Sequence, residues 1–324
     1  MPEEKKQIIM TGVTSFVGAA AARELLGRGY QVFGILRPGS KNRGPLERSL
    51  KEFLDRRQLI LLENDLSAPG RLPLLLSGKL SPGGIFCHFG WGGSGSGARN
   101  DESLQRSNLR FSLETLEAAK EMGCGRFLFS GSQAEYGLHT DLITEESACA
   151  PRSAYGEAKL AMREEGEALA RRLGISYLHG RIFSVYGPGD HPWTLVETCL
   201  DACLKGQEFR MGACTQLWNF LYIDDLARAA AALAELKESE IGKLESPVFN
   251  LAGEETKPLR DFVEEINRIC GGRGRLVYHA RPENAEGLVN LAPSIEKLKT
   301  ASGWRPQTDF QEGIRRLMID KRKK

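Results

Sequence analysis

Residues Ile8 to Leu36 constrain the fold more tightly than any other stretch of this 324-residue chain. Ile8-Ile9-Met10 reads as a short buried strand, and Thr11-Gly12-Val13-Thr14-Ser15-Phe16-Val17-Gly18 follows it directly. Ala19 to Leu26 is a run of strong helix formers closed by Gly27 and Gly29, and Tyr30 to Leu36 reads as a second strand. Strand, glycine turn, helix and strand in this order is the setting in which a dinucleotide is bound. Gly12 permits the sharp turn and Gly18 lets the helix pack closely on the sheet. The amides of Ser15, Phe16 and Val17 open the helix toward a pyrophosphate. Ser15 stands where glycine is usual, so phosphate approach is tighter. An ordinary βαβ turn is the plainer alternative; the flanking elements favour the cofactor.

The end of the second strand bears on which cofactor. An Asp or Glu there accepts hydrogen bonds from the adenosine ribose and favours NAD. This chain has Leu36 and then Arg37-Pro38-Gly39-Ser40, with Lys41 and Arg43 nearby. Arg37 is suited to a 2′-phosphate, so NADP(H) is the favoured expectation and NAD(H) the alternative.

Tyr155 and Lys159 occur as Tyr-Gly-Glu-Ala-Lys, and residues four apart share a helix face. A phenol has an ordinary pKa of about 10, and a nearby ammonium favours its ionised form. The pair is therefore expected to form a proton relay working near neutral pH, with Lys159 acidifying Tyr155. Such pairs also arise on solvated helix faces, so the argument needs their company.

That company is extensive. Asp65-Leu66, His88-Phe89-Gly90, Asn108, Phe129 to Gly137, Arg181 to Gly189, Phe220 to Ala227 and Gly303-Trp304-Arg305-Pro306 accompany the two motifs. With them the chain resembles, nearly end to end, the extended short-chain dehydrogenase/reductase family, in its nucleotide-sugar epimerase/dehydratase/reductase branch. The resemblance implies an α/β fold: a Rossmann doubly wound parallel sheet with a smaller, discontinuous C-terminal substrate-binding lobe. Residues 1–182 with about 218–252 would bind NAD(P), and about 183–217 with 253–324 would bind substrate.

It also implies roles. Counting back from Tyr136-Gly137 puts Ser132 at the catalytic hydroxyl, with Ser130 the rival two residues away, beside Tyr155 and Lys159. Lys159 and Tyr155 would also contact the nicotinamide ribose. Asp65 and Leu66 correspond to adenine contacts, Phe89 and Gly90 to the cofactor wall, Asn108 to a structural or cofactor-side contact and Phe183 to the nicotinamide pocket. Ser184 replaces the usual Asn. Substrate contacts are expected from Trp91, Gln133, Ser184, Arg210, Trp218 and Arg281, the last resembling a diphosphate ligand. Trp218-Asn219 stands where relatives carry Arg-Asp, so Arg210 would supply the missing charge; a packed tryptophan is the plainer account of Trp218.

Departures from the family narrow the chemistry. Gln133 and Ala134 occupy the Asp-Glu pair that 4,6-dehydratases use, and neither can act as acid or base, so that reaction is rejected. Glu135 is acidic but one position late, which leaves it a secondary candidate. Between 4-ketoreductase and NAD-retaining 4-epimerase, Arg37 and the missing acid favour the reductase. A non-catalytic NADPH sensor or scaffold is the alternative of another class, and an intact Ser-Tyr-Lys set argues against it.

The rest is organisation. Leu104 to Met122 and Ala154 to Leu173 read as long helices, and the family pairs these across a homodimer. Leu195 to Leu204 reads as a helix, Phe220 to Ile223 as a strand, Asp224 as the cap of a helix to about Lys237, and Val248 to Leu251 as a late strand. Gly90 to Gly97, dense in glycine, reads as a mobile substrate flap, with a plain flexible linker as the alternative. With 41% hydrophobic and 27% charged residues and net charge +2, nucleic acid is not an expected partner, and Lys321 to Lys324 reads as a solvated tail. No apolar run reaches spanning length and the N-terminus is not a signal peptide, so a cytoplasmic location is expected. The seven cysteines lack metal-ligand spacing, so no metal is expected.

Overall fold

The computed structural model describes residues 6–95, 97–281 and 289–322. Part of the glycine loop (Ser96), the residues after Arg281 and the last two lysines of the tail lie outside that range. In chain order the first half runs β1 (Gln7–Thr11), α1 (Phe16–Gly27), β2 (Gln31–Leu36), the short helices α2 (Arg43–Ser49) and α3 (Lys51–Asp55), then β3 (Leu59–Glu63), α4 (Leu72–Leu76) and β4 (Ile85–His88). The long helix α5 (Glu102–Glu121), β5 (Arg126–Ser132), α6 (Ala154–Leu173) and β6 (Ser176–Ile182) follow. Next come β7 (Ser184–Tyr186), α7 (Leu195–Lys205), β8 (Glu208–Arg210), β9 (Leu217–Tyr222), α8 (Ile223–Ala234), α9 (Glu238–Ile241) and β10 (Val248–Leu251). The chain closes with β11 (Thr256–Pro258), α10 (Leu259–Ile269), β12 (Arg275–Val277), α11 (Glu296–Ser302) and α12 (Phe310–Arg322).

Seven strands form one sheet in the order β10-β6-β5-β4-β1-β2-β3, and every pairing in it is parallel. The order reverses between β1 and β4, which is where doubly wound sheets bind ligands at the carboxyl ends of their strands. Strands buried on both faces carry continuous apolar runs, as in Ile8-Ile9-Met10 and Phe127-Leu128-Phe129. On one face α1 packs against α8, and buried Ala20, Ala21 and Ala22 meet a helix carrying buried Ala229, Ala230 and Ala231. Small side chains let these two helices lie close. On the other face a ladder of rings, Phe86, Phe127 and Tyr177, stacks across β4, β5 and β6 beneath α5 and α6. It leads at the strand ends to His88, Phe129 and Trp91.

Beyond the main sheet, β11-β9-β7 and β12-β8 form two small sheets. The stretch 217–222 therefore lies in a separate sheet, while β10 returns to the main one beside β6.

Asp224 does not cap α8. Tyr222 holds the cap position with no side-chain bond, and Asp224 falls in the first turn. The next carboxylate, Asp225, is fully buried. It accepts from the amides of Gln307 (2.7 Å) and Thr308 (2.9 Å) and from Arg228 (2.5 Å), pinning the segment after Trp304 to α8. The expected tail is not wholly free either, because Lys321 in α12 pairs with Glu197 at 2.5 Å and Asp201 at 2.7 Å on α7. No helix among the described residues is long and apolar enough to cross a membrane.

Candidate active site

The first wall of the crevice is the turn after β1. Gly12 has φ +70°, and a Cβ there would sit 2.6 Å from the main chain of Phe89 and Gly90. A Cβ on Gly18 would lie 2.2 Å from the carbonyl of Gly12. Ser15 is the helix N-cap, in extended backbone, and its hydroxyl accepts from the Gly18 amide at 3.0 Å. That bond uses one first-turn donor internally. The amides of Phe16 and Val17 take no acceptor among the described residues, so two donors remain at the positive end of the helix. Phe89, Gly90 and Leu66 converge on the same turn: Leu66 lies 2.7 Å from where a Gly90 Cβ would be, and the Gly90 amide bonds the Thr11 hydroxyl at 3.2 Å. This cradle fits a dinucleotide pyrophosphate.

Arg37 is exposed at the end of β2. Its charge reaches Asp65, whose carboxyl is held below the usual range chiefly by the Ser67 hydroxyl and amide, with Arg37 adding to the effect. Asn108 makes a structural contact. It is buried and clamps Gly92 through Oδ1 (3.2 Å) and Nδ2 (2.8 Å). Gln105 bonds the carbonyls of Gly93 (3.0 Å) and Ala98 (2.9 Å). The glycine loop is thus tied to α5 at Gly92, Gly93 and Ala98 by buried side-chain amides on the helix, where the sequence suggested free chain.

The second wall is the end of β5 facing α6. Ser153 caps α6 through the Gly156 amide at 3.3 Å, and the helix runs to Gly174, whose φ of 64° ends it. Tyr155 and Lys159 lie on its buried face, 9% and 2% exposed. The Ser132 side chain stands near enough to the Tyr155 phenol to work against the rise that burial imposes on it. Ser130 instead donates to the His88 carbonyl at 3.1 Å, and its own carbonyl accepts from Lys159 at 2.7 Å. The structure therefore brings Ser132, not Ser130, to the phenol. The two serines are on one strand face, and the register gives one to each partner.

Lys159, expected to acidify Tyr155, is not among the groups that lower the phenol here. Its Nζ lies 3.8 Å from the Trp91 ring centre and 4.6 Å from that of Phe129, but 5.7 Å from that of Tyr155. Burial draws the ammonium down to about 7, with Glu135 opposing. The phenol is raised above its ordinary value by burial, with the Ser132 side chain and the Arg99 charge working the other way. Arg99 is the residue that sequence reasoning missed. Its guanidinium carbon stands 4.7 Å over the Tyr155 ring, and its carbonyl accepts from the Tyr155 amide at 2.8 Å. It lies between the glycine run of residues 90–97 and α5, with no helical or strand spacing to mark it. Trp91 is placed as a platform for Lys159, its Nε1 donating to Gln105 at 2.8 Å.

Glu135 does not face the crevice. It is fully buried and accepts from the Ser132 amide (2.8 Å), His179 Nε2 (2.9 Å) and Arg181 Nε (2.7 Å). Burial alone would raise its carboxyl; the His179 and Arg181 contacts and the Ser132 amide outweigh it and pull it down to about 2.

Of the remaining residues, Gln133 follows Ser132 in a single 3-10 turn and is half-buried. Phe183 is buried against Tyr136 with ring centres 6.2 Å apart, and Ser184 opens β7 opposite Phe220. Arg210 and Arg281 are both exposed and adjoin Met211, whose carbonyl accepts from the Arg281 amide at 3.2 Å. Arg210 bonds Glu208 at 2.9 Å. Trp218 is half-buried in β9 beside Phe220, its indole nitrogen without an acceptor. No cluster of three or more potential metal ligands exists among the described residues.

The profile of the NAD dependent epimerase/dehydratase family matches residues 8–252. The chain belongs to that family. It is an enzyme of this family by descent, with the Rossmann-like fold its members share. UDP-glucuronate 4-epimerase 2 of Arabidopsis thaliana is 26% identical over 329 residues, spanning 96% of this chain and 74% of its own length. GDP-mannose 3,5-epimerase 1 of Oryza sativa subsp. indica is 25% identical over 330 residues, spanning 97% and 81%. Among solved structures, the UDP-glucose 4-epimerase of Thermotoga maritima with UDP-glucose superposes at a TM-score of 0.84, with 22% identity and 98% and 99% of the two chains covered. The UDP-glucuronic acid 4-epimerase of Bacillus cereus, in complex with UDP-glucuronic acid and NAD, gives 0.80 at 20% identity, covering 98% and 99%. The family is NAD dependent, and these comparisons lend no support to a preference for NADP. Arg37 is an exposed charge in the field of Asp65.

Proposed function

We propose that this enzyme is an NAD-retaining nucleotide-sugar 4-epimerase acting on a nucleotide-linked hexose or hexuronic acid. The convergence of Ser132, Tyr155 and Lys159 at the end of β5, across from the glycine turn of β1, carries the reading. The 4-epimerases among its relatives favour it over the 4-ketoreductase expected from Arg37.

Phe16, Val17, Gly12, Leu66, Phe89 and Gly90 would hold NAD, with Lys159 and Phe183 at the nicotinamide end. When bound, NAD supplies the oxidant that removes hydrogen from a ring carbon and the reductant that returns it. Proton handling is the chain's own part. Tyr155 takes the proton of the sugar hydroxyl as the carbonyl forms and gives it back when the alcohol re-forms. The Ser132 oxygen already accepts from the Ala134 amide at 3.2 Å, so its proton would turn from Tyr155 to the same sugar oxygen when the sugar is bound. Gln133 and Ala134 offer no acid or base, so no elimination follows. Arg210, Arg281 and Trp218 are proposed for the nucleotide end, Trp91, Gln133 and Ser184 for the sugar.

Residues 1–182 with about 218–252 would form the cofactor lobe and the remainder the substrate lobe. A homodimer through α5 and α6, in a reducing compartment suited to seven free cysteines, completes the proposal.

The test is to incubate the protein with a panel of UDP-linked sugars and NAD, and to follow C4 configuration by proton NMR. Interconversion of epimers without net NADH formation is expected; stoichiometric consumption of NADPH with a 4-keto sugar would return the reading to the reductase. Calorimetric titration should also give tighter binding of NAD than of NADP, with Arg37→Ala changing that ratio by less than about threefold. A larger collapse of NADP affinity would mark Arg37 as a phosphate ligand.

A further inference from the structure

The segment Ser130-Gly131-Ser132 does two jobs at once. The carbonyl of Ser130 holds Lys159 at 2.7 Å, and the side chain of Ser132 stands beside the Tyr155 phenol. Immediately behind it lies a buried ion cluster that the reaction itself does not use. Glu135 (0% exposed), His179 (0%) and Arg181 (1%) meet there. A Cβ on Gly131 would stand 2.2 Å from His179 Nε2 and 2.7 Å from Glu135 Oε1, so the cluster is pressed against the strand end with no side chain between. Glu135 also closes a capping box: its carboxylate takes the Ser132 amide while the Ser132 hydroxyl takes the Ala134 amide. The cluster is braced outward in turn. His179 Nδ1 faces the Tyr177 hydroxyl at 3.1 Å, which also lies 3.0 Å from the carbonyl of Met162 in α6. Arg181 stacks 4.2 Å over the Tyr136 ring, and Tyr136 donates to Asn250 at 2.6 Å.

We propose that Glu135 is a positioning residue: clamped by His179 and Arg181, its carboxylate fixes the Ser132 main chain and so sets the serine hydroxyl against the Tyr155 phenol. This rests on the catalytic reading above. Misplacing a reacting group by about 1 Å costs on the order of 10²-fold in rate, whereas cofactor and nucleotide contacts made elsewhere are untouched.

Two variants separate positioning from bulk structure. Glu135→Asp keeps the charge opposite Arg181 but withdraws the acceptor from the Ser132 amide; kcat is expected to fall at least tenfold, with KM and NAD affinity within threefold of wild type. Glu135→Gln/Arg181→Met removes both charges yet keeps an acceptor at full reach, since the amide nitrogen can donate to the other tautomer of His179. It is expected to retain kcat within threefold. Wild-type turnover by Glu135→Asp, an equal loss in the Gln/Met pair, or losses confined to KM or NAD affinity would each overturn the proposal. Should the wild type epimerise none of the sugars, the functional reading fails while positioning is still measured. The ring-carbon NMR resonance of Tyr155, assigned with Tyr155→Phe, should shift in Glu135→Asp and stay in place in the Gln/Met pair. An unmoved resonance in Glu135→Asp defeats the idea.

Discussion

Tyr155→Phe is expected to lower kcat for sugar epimerisation by about 10³-fold, within the range of roughly 10² to 10⁴ that a positioned acid–base group contributes. The phenol is the hydroxyl that Ser132 stands beside, and the neighbouring groups cannot replace it. Lys159 is occupied by the Ser130 carbonyl and by two aromatic faces. Ser130 is bonded to β4, and Glu135 faces the other way. Removing one oxygen leaves the ring in place, because its packing is apolar and cationic: Trp91 edge-on at 6.2 Å and Arg99 over the face at 4.7 Å. NAD affinity should therefore stay within about threefold, and the thermal midpoint should move little. Single-turnover measurement of epimer formation, alongside NAD titration, reads both quantities. Retention of more than a tenth of the wild-type rate would mean that the proton travels by another group, and Tyr155 would lose its role.

What could be read in the sequence, and what could not, divides along the line between local and tertiary information. The βαβ unit was legible because its signals are consecutive: apolar strand, Gly12, helix formers, Gly18. α6 was legible to the residue, since Ser153 and Gly174 cap it in the ordinary way. Tyr155 and Lys159 were legible through their helical spacing, and Ser132 by its distance from Tyr136-Gly137. The partners of these groups were not. That Lys159 rests on Trp91 and Phe129 rather than on Tyr155 depends on how β4, β5 and α6 come together. Arg99 reaches Tyr155 across 56 positions of chain (155 − 99), with no periodicity to announce it. Asp224 and Asp225 show the same limit at smaller scale: either suits a helix start, and only the packing of residues 307 and 308 decides that Asp225 is the buried one. Arg37 is the reverse case, a local signal with no tertiary partner to decide it, because the end of β2 is open to solvent and a cation exposed there suits a phosphate or water alike.

Arg181→Met should destabilise the fold by about 3–5 kcal/mol at neutral pH, the usual consequence of leaving one partner of a buried pair uncompensated. Arg181 and Glu135 are both sealed from solvent, at 1% and 0% exposure. In the wild type His179 meets Glu135 as a neutral donor, because burial holds its imidazole below its ordinary value and the Arg181 charge adds to that. The sign with pH follows from Glu135. Its carboxyl is pulled down from an ordinary 4.5 to about 2 in the folded protein, so the pairing stabilises wild type fully above about 4.5 and less as pH falls toward 2. Without Arg181 the folded carboxyl titrates higher, and protonation relieves the stranded charge. The gap between wild type and variant is therefore expected to be widest near pH 7 and to narrow between about pH 5 and 3. Urea unfolding of both proteins across that range measures it directly. A gap that stays constant with pH would mean that lost packing over Tyr136, rather than the stranded carboxylate, accounts for the cost.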